Sequence, residues 1–207
     1  MSNMEKTYLI YDTETNGLPL IPDNPDKYDM LNWPRVYQLS ALLVDEFGFE
    51  LGRMDRTIKP DKWVISTKSK FHADLGITTE HLLDVGIPLH IAMREFIQLA
   101  EQATDLVCHN AMFDNPVVTC EMFRCKHFPQ AWPKKIQHCT KLMTEPICKI
   151  PGWKGKYKWP SLEEAYAFFN GGEKFEGAHD SMFDVLATYN VFFHAKQWEE
   201  LGMDEFF

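Results

Sequence analysis

Residues 7–12, Thr-Tyr-Leu-Ile-Tyr-Asp, form a short, almost unbroken apolar and aromatic run that ends in an acid, and Glu14 follows two residues later. Such a run suits a central strand covered on both faces. The two-residue period of a strand puts Asp12 and Glu14 on one side of it. Two carboxylates at the end of a buried strand are costly unless something positive lies between them. The chain must therefore build a sheet around its first strand and then either solvate that strand's end in a turn or hold a cation there.

The partners of this strand are legible further along the chain. A Pro- and Asp-rich stretch from Leu18 to Pro34 reads as a loop. Residues 35–45 and 50–58 flank Glu46-Phe47-Gly48 and read as an antiparallel hairpin returning beside the first strand. Beyond residue 76 the period changes, with Leu89, Met93, Phe96, Ile97, Ala100 and Ala103 recurring at helical spacing behind Pro88. Asp105 to His109 is an apolar run of strand length, and residues 111–126 read as a helix with Pro116 near its first turn. Ser161 to Glu164 is a capping box, Leu162, Ala165, Tyr166 and Phe169 form one apolar face, and Gly171-Gly172 stops that helix. A last helix runs from about Ser181 to Trp198, with Met182, Val185, Leu186, Tyr189 and Phe193 on its buried stripe. Strands first and strand with helix afterwards indicate an α/β sheet with helices on its faces, without internal repeat or linker. With 207 residues the expectation is one domain, 1–207.

Composition narrows the class. At 45% hydrophobic and 25% charged residues the chain is an ordinary globular one. No apolar run approaches the ~18 to 20 residues that cross a bilayer, so no membrane partner is expected. The N-terminus, MSNMEKTYLIYD, lacks a basic, apolar and small-residue leader, so the expected location is cytoplasmic. The five cysteines are an odd number without repeating spacing, which argues against a secreted disulfide framework. Cys120, Cys125, His127, His138 and Cys139 contain no C-x2-C pair, so buried reduced thiols are expected ahead of a zinc site.

Two further segments carry acids. His109-Asn110-Ala-Met-Phe113-Asp114 leaves a short strand and enters a helix, which places Asp114 in the helix's first turn near the end of the first strand. A carboxylate answering the helix dipole is the alternative there. Gly177-Ala-His179-Asp180-Ser-Met-Phe-Asp184 runs from a turn into the last helix. Five residues turn an ideal helix by about 140°, so His179 belongs to the loop and Asp184 to the first turn, where both can address one cavity. The alternative is a cap, Asp180 or Ser181, with Asp184 as an acid of the first turn.

The three segments in this order resemble the DEDDh-type 3′→5′ exonucleases, the family of proofreading exonucleases and RNase T. Asp12-Thr-Glu14-Thr15-Asn-Gly17-Leu18 resembles the first family motif, His109 to Asp114 the second, and His179-x4-Asp184 the third. Weaker likeness extends through Trp33 to Gln38, Gly76 to Glu80 and Ser161-Leu162. Asp180, rather than Tyr, stands four residues before Asp184, which assigns the histidine branch. One departure lies before Gly76, where the family often has His and this chain has Leu75, with His72 the nearest histidine. The departure bears on the grip on the terminal nucleotide rather than on metal.

The resemblance implies a ribonuclease-H-like fold, a mixed five-stranded sheet whose first three strands are antiparallel, with helices on both faces. It also implies hydrolysis of phosphodiester bonds at the 3′ end of single-stranded or frayed DNA. Two divalent ions, Mg²⁺ or Mn²⁺, would be held by Asp12, Glu14, Asp114 and Asp184, a cage of hard oxygen ligands suited to them. His179 is then the general base for the attacking water. Thr15, Gly17, Leu18, Asn110 and His179 would contact the terminal nucleotide. For Leu18 the plain alternative is an apolar residue covering the core edge, and for Phe113 a core position. Rival readings are an exoribonuclease trimming RNA 3′ ends, a non-catalytic nucleic-acid-binding module, and a hydrolase of small nucleotides. A polymerase or repair partner is compatible with the resemblance. Oligomeric state is not encoded in these motifs, and Phe206-Phe207 is too short to read as a docking peptide.

A net charge of −9 argues against a broad grip on duplex DNA, but its distribution is uneven. Residues 124–158 hold nine Lys or Arg and one acid, Glu145, a local balance of +8 that leaves −17 for the remainder. Inside it, Gly152-Trp153-Lys-Gly-Lys-Tyr157-Lys-Trp159 interleaves cations with aromatics, as single-strand binders do. The alternative is a solvated loop whose aromatics plug the domain edge.

Overall fold

The structure, a computed structural model, describes residues 5–22, 24, 26 and 28–202, so that Pro25 of the proline-rich loop and Phe206-Phe207 lie outside the described residues. The elements run β1 (Thr7–Thr15), β2 (Val36–Asp45), β3 (Glu50–Thr57), α1 (Lys70–Asp74), α2 (Thr79–Val85), α3 (Leu89–Gln102), β4 (Asp105–Cys108), α4 (Ala111–Arg124), β5 (Ile136–Cys139), α5 (Thr140–Met143), α6 (Glu145–Cys148), α7 (Leu162–Phe169) and α8 (Ser181–Glu200). They build the expected mixed sheet, in the order β3-β2-β1-β4-β5. β1, β2 and β3 pair antiparallel, while β4 joins β1, and β5 joins β4, in parallel.

The central place of β1 follows from its apolar run, because side chains on both of its faces are buried. Leu9 and Tyr11 pack with Phe96, Ile97 and Val117 on the side of α3 and α4. Tyr8 and Ile10 pack with Val185 and Phe192 of α8 on the other. This alternation decides the site. Asp12 and Glu14 continue the α8 row, whereas Thr13 points to α4 and donates from Oγ1 to Asp114 Oδ1 at 2.7 Å.

Helix ends follow their sequence signals. Ser161 accepts from the Glu164 amide, and the Glu164 carboxylate accepts from the Ser161 amide, closing the capping box of α7. Asp180 is the cap of α8, its carboxylate accepting from the Met182 amide at 3.0 Å.

Four details differ from the sequence reading. β1 continues to Thr15, three residues beyond the apolar run, because Thr13 and Glu14 still find partners in β2. Pro116 is the sixth residue of α4 rather than a first-turn residue, and its ring leaves the Met112 carbonyl without a helical donor. The buried stripe of α8 is displaced: Ser181, Ala187, Thr188, Val191, Phe192 and Ala195 are buried, while Leu186 is 38% exposed. α8 packs against both the sheet and α7, so small residues fill close contacts that an apolarity pattern does not mark. Finally, α1, α2 and β5 carry little periodic signal and emerge only with tertiary contacts.

Candidate active site

Asp12, Glu14, Asp114, His179 and Asp184 line one cleft of about 430 Å³ at the carboxyl end of β1. They come from three segments far apart in the chain. Asp12 and Glu14 end β1, Asp114 sits in the first turn of α4, and Asp184 in the first turn of α8. Facing ligand atoms of Glu14, His179 and Asp184 all lie within 4.8 Å of one another, an arrangement able to hold a metal ion. His179 is in the turn before α8 with φ of 71°, so the chain reverses there and its own amide donates to Asp184 Oδ2 at 3.1 Å. Its ring meets the edge of Phe71 from α1, with centroids 5.0 Å apart. Capping and cavity are thus not alternatives: Asp180 caps α8 while Asp184 faces the cleft.

Gathering these acids is electrostatically expensive. Burial, followed by repulsion from Asp114, Asp184, Glu14 and Asp180, pushes Asp12 well above the usual carboxylate range. Burial and the Asp184 and Asp114 carboxylates raise Glu14 to about 8. Burial lifts Asp114 to about 7 against the Thr13 hydroxyl that favours its anion, and lifts Asp184 to about 6 against the His179 amide. An all-oxygen set of four such carboxylates fits a hard divalent ion, which would relieve the repulsion.

The same burial, with the repulsion added to it, makes stability depend on pH. In the unfolded chain these groups ionise near pH ~4, and in the folded one near 6 to 8 for Asp184, Asp114 and Glu14. Below the unfolded values both states are protonated and nothing is lost. As pH rises through the interval the unfolded state releases protons that the folded state retains, so stability falls, and the loss is complete above the folded values. The melting temperature of the metal-free protein is expected to fall between about pH 4 and 8, and a bound divalent cation to remove most of that slope. Thermal melts with chelator or with added ion check this, and a flat chelator profile contradicts it.

Residues that no motif marks hold the site in place. Ser40, the β2 partner of Asp12, donates from Oγ to Asp55 Oδ1 at 2.8 Å. With that proton committed, the 2.6 Å contact between Ser40 Oγ and Ser181 Oγ has Ser181 as donor, pinning the start of α8 to the sheet. Tyr37 reaches Glu14 Oε2 at 3.4 Å. His72 is buried, and its Nε2–H donates to the Thr15 carbonyl at 3.0 Å while Nδ1 accepts from Ser69 Oγ at 2.6 Å. The histidine nearest Leu75 therefore braces the turn after β1 from within α1. His109 also serves the frame: Nε2–H donates to the Pro160 carbonyl at 3.2 Å, Nδ1 lies 2.9 Å from Thr140 Oγ1, and burial lowers it to about 4, so it is neutral. Shared polar residues at paired strand positions, Asp12 with Ser40 and Ser40 with Asp55, were the available signal.

Of the remaining expected contact residues, Leu18 and Asn110 line this cleft, whereas Thr15 and Gly17 line a neighbouring cavity that shares Leu18 with it. Leu18 is 80% exposed and lines the cleft, so it covers no core edge. Thr15, Gly17 and Leu18 line that neighbouring apolar cavity, of about 440 Å³, with Phe71, His72 and Phe113. A Cβ on Gly17 would meet open space, so the glycine leaves room there rather than in the protein's own packing. Thr15 donates from Oγ1 to the Gly17 carbonyl at 2.7 Å. Asn110 lines the cleft and accepts at Oδ1 from Lys141 Nζ at 3.3 Å. Phe113 is half-buried against Trp33 and the core, and it borders both cavities.

The sheet order, the antiparallel first strands and the helices on both faces are an arrangement found in solved structures of other proteins. The solved structures that share it include E. coli exonuclease I. Its complex with a dT13 oligonucleotide superimposes with a TM-score of 0.68 at 21% identity, over 94% of this chain and 41% of that one. A 5cy-dT13 complex gives 0.69 at 19%, over 98% and 42%. The zinc-bound form of its single-stranded DNA complex gives 0.67 at 20%, over 97% and 42%. This chain thus spans about two fifths of the length of these neighbours, and at such identity the likeness is one of fold. No family model matches the chain, and no curated protein sequence matches it.

The five cysteines are free, Cys108 and Cys120 buried and Cys125, Cys139 and Cys148 half-buried. Among the described residues, no helix is long and apolar enough to cross a membrane.

Proposed function

We propose that the chain is a divalent-cation-dependent 3′→5′ exonuclease acting on single-stranded DNA within one domain. The observation that carries this reading is the convergence of Asp12, Glu14, Asp114, Asp184 and His179 on one cleft of an exonuclease fold. Asp12, Glu14, Asp114 and Asp184 would hold the ions, Mg²⁺ or Mn²⁺. When bound, these supply Lewis acidity for activating water and for stabilising the departing 3′-oxygen. His179, exposed at the rim, takes the proton of the water that attacks the terminal phosphorus in line. The bond from phosphorus to the preceding 3′-oxygen breaks, releasing a nucleoside 5′-monophosphate, and the new 3′-hydroxyl takes its proton from solvent. Phe71, edge-on to His179, limits where that ring can turn. Thr15, Gly17, Leu18 and Asn110, with His179, form the grip on the terminal nucleotide. A reducing, cytoplasmic setting suits the five free thiols.

The test is digestion of 5′-labelled single-stranded DNA, RNA of the same sequence and blunt duplex DNA, each with Mg²⁺, Mn²⁺ or chelator. Laddering by single nucleotides from the 3′ end of the single-stranded DNA, abolished by chelator, is expected. No digestion, digestion that survives chelator, or preference for RNA overturns the proposal as stated.

A further inference from the structure

The basic stretch is not one patch. Arg124 is committed to Glu121 and to backbone carbonyls, Lys135 to the Ala103 carbonyl, and Lys158 to Glu164. Lys126 and Lys134 are exposed as single cations elsewhere on the domain, and the segment that gathers cations together with exposed aromatics is residues 150–159. Gly152 N donates to the Lys156 carbonyl at 2.8 Å and Lys158 N to the Ile150 carbonyl at 3.0 Å, and Pro151 bridges Tyr157 antiparallel, so the segment is a small hairpin. Only glycine fits at 152, where a Cβ would come within 2.8 Å of both the Lys156 carbonyl oxygen and the Lys158 nitrogen. Lys154 and Gly155, with φ of 56° and 77°, turn the tip.

This hairpin has no role in the core. Every residue from Trp153 to Trp159 is exposed, with Trp153 at 82%, Tyr157 at 50% and Trp159 at 54%, so the aromatics do not plug the domain edge. Three large aromatics in seven exposed residues mark a binding surface rather than ordinary solvent-facing composition. Among the described residues, Lys154 and Lys156 enter no ion pair. The base of the hairpin is bolted to the cleft. The Lys141 ammonium lies 4.9 Å over the Trp159 ring and also reaches Asn110 Oδ1, and the Pro160 carbonyl accepts from His109. Asn110, His109 and Ser161 line the cleft itself.

We infer that the hairpin of residues 150–159 binds the single-stranded DNA that lies 5′ of the nucleotide in the cleft. Trp153, Tyr157 and Trp159 stack bases, and Lys154 and Lys156 meet phosphates. The occupant follows from charge: the polyanion finds free cations here, beside aromatic faces that paired bases cannot use, while the chain outside residues 124–158 carries −17. The inference extends the exonuclease proposal and takes from it only the strand's direction.

The experiment is titration of the full chain with dT16 in chelator, read by tryptophan fluorescence and by anisotropy of labelled dT16, alongside hydrolysis of dT16 and of a dinucleotide in Mn²⁺. The wild type is expected to show saturable quenching. Trp153→Ala with Tyr157→Ala should weaken dT16 binding about tenfold or more, from ~1–3 kcal/mol of stacking per base. It should lower kcat/KM for dT16 and leave the dinucleotide unchanged, since neither residue contacts the cleft. Trp153→Phe with Tyr157→Phe should restore most of the binding, which a folding defect would not allow. Lys154→Ala with Lys156→Ala should reduce the slope of log K against log salt by about 1.4, from ~0.7 per contact on a single strand. Unchanged affinity and quenching in the double Ala variant overturn the inference, as does an equal loss on the dinucleotide. So does a change of the alanine variant's sedimentation relative to wild type without DNA, which would mark a surface for a second copy. If neither substrate is hydrolysed yet quenching occurs and is lost in the variant, the exonuclease proposal fails and the binding hairpin stands.

Discussion

Asp12→Asn is expected to lower nuclease activity by about a thousandfold or more and, in the same protein, to raise the melting temperature of the metal-free form at about pH 8. The two effects have one cause. Asp12 is held at the end of a buried strand against Asp114, Asp184 and Glu14, and its carboxyl is driven well above its ordinary range. That concentration of charge is useful only when a cation is present. Without one it opposes folding, because the unfolded chain ionises the acid freely and the folded chain does not. Asparagine keeps the shape and removes the charge, so it takes away a ligand and a destabilising group together. The gain reads as a higher melting temperature than that of the wild type in chelator. Initial rates on 5′-labelled single-stranded DNA and melts in chelator measure both. Retained activity would remove Asp12 from the site, and a fall in melting temperature would refute the repulsion.

Glu121→Ala should be strongly destabilising although it lies outside the cleft. Glu121 is fully buried on α4, and its Oε1 accepts from Arg35 Nε at 2.8 Å, Arg124 Nη1 at 3.0 Å and the Val36 amide at 3.2 Å. Arg124 in turn donates to the carbonyls of Trp33 and Pro34. One carboxylate thus ties α4 to the entrance of β2 and to the end of the proline-rich loop. Removing it leaves two guanidinium groups without their anion and an amide without its acceptor, a loss of about 3–5 kcal/mol for breaking a buried pair. The melting temperature should fall by about 10 °C. A change within about 1 °C would show that solvent, which reaches both arginines, replaces the carboxylate. The metal-linked pH slope should survive this substitution, since the clamp lies about two turns along α4 from Asp114.

How much of this is legible in the chain depends on the range of the signal. The apolar run of β1, the β2–β3 hairpin, the capping box of α7 and the periodic stripe of α3 are local patterns, and the structure reproduces them within a few residues. α1 and α2 escape a reading by period because helices of five and seven residues carry too little of it to stand out, and both depend on side-chain caps from Ser69 and Thr78. The position of α8 is legible but its rotation is not, because Ser181, Ala187 and Thr188 pack closely where apolarity alone would put Leu186.

The site divides in the same way. The residue types and their order are written in the chain: two acids on one face of a buried strand, a third at a strand-to-helix junction, and a fourth five residues after a histidine. So are the cysteine pattern and the uneven charge. That Asp184 faces the cleft while Asp180 caps the helix, and that Ser40 and Ser181 pin α8 beside Asp12, are consequences of packing alone. Packing likewise sets His72 against the Thr15 carbonyl and leaves the aromatics of residues 153–159 facing solvent instead of the core. Periods of 2 and 3.6 residues are carried by neighbouring positions and can be read from them. The distance between carboxylates from β1, α4 and α8 is carried by no neighbouring positions, because it is set by how a sheet and the helices on its two faces pack.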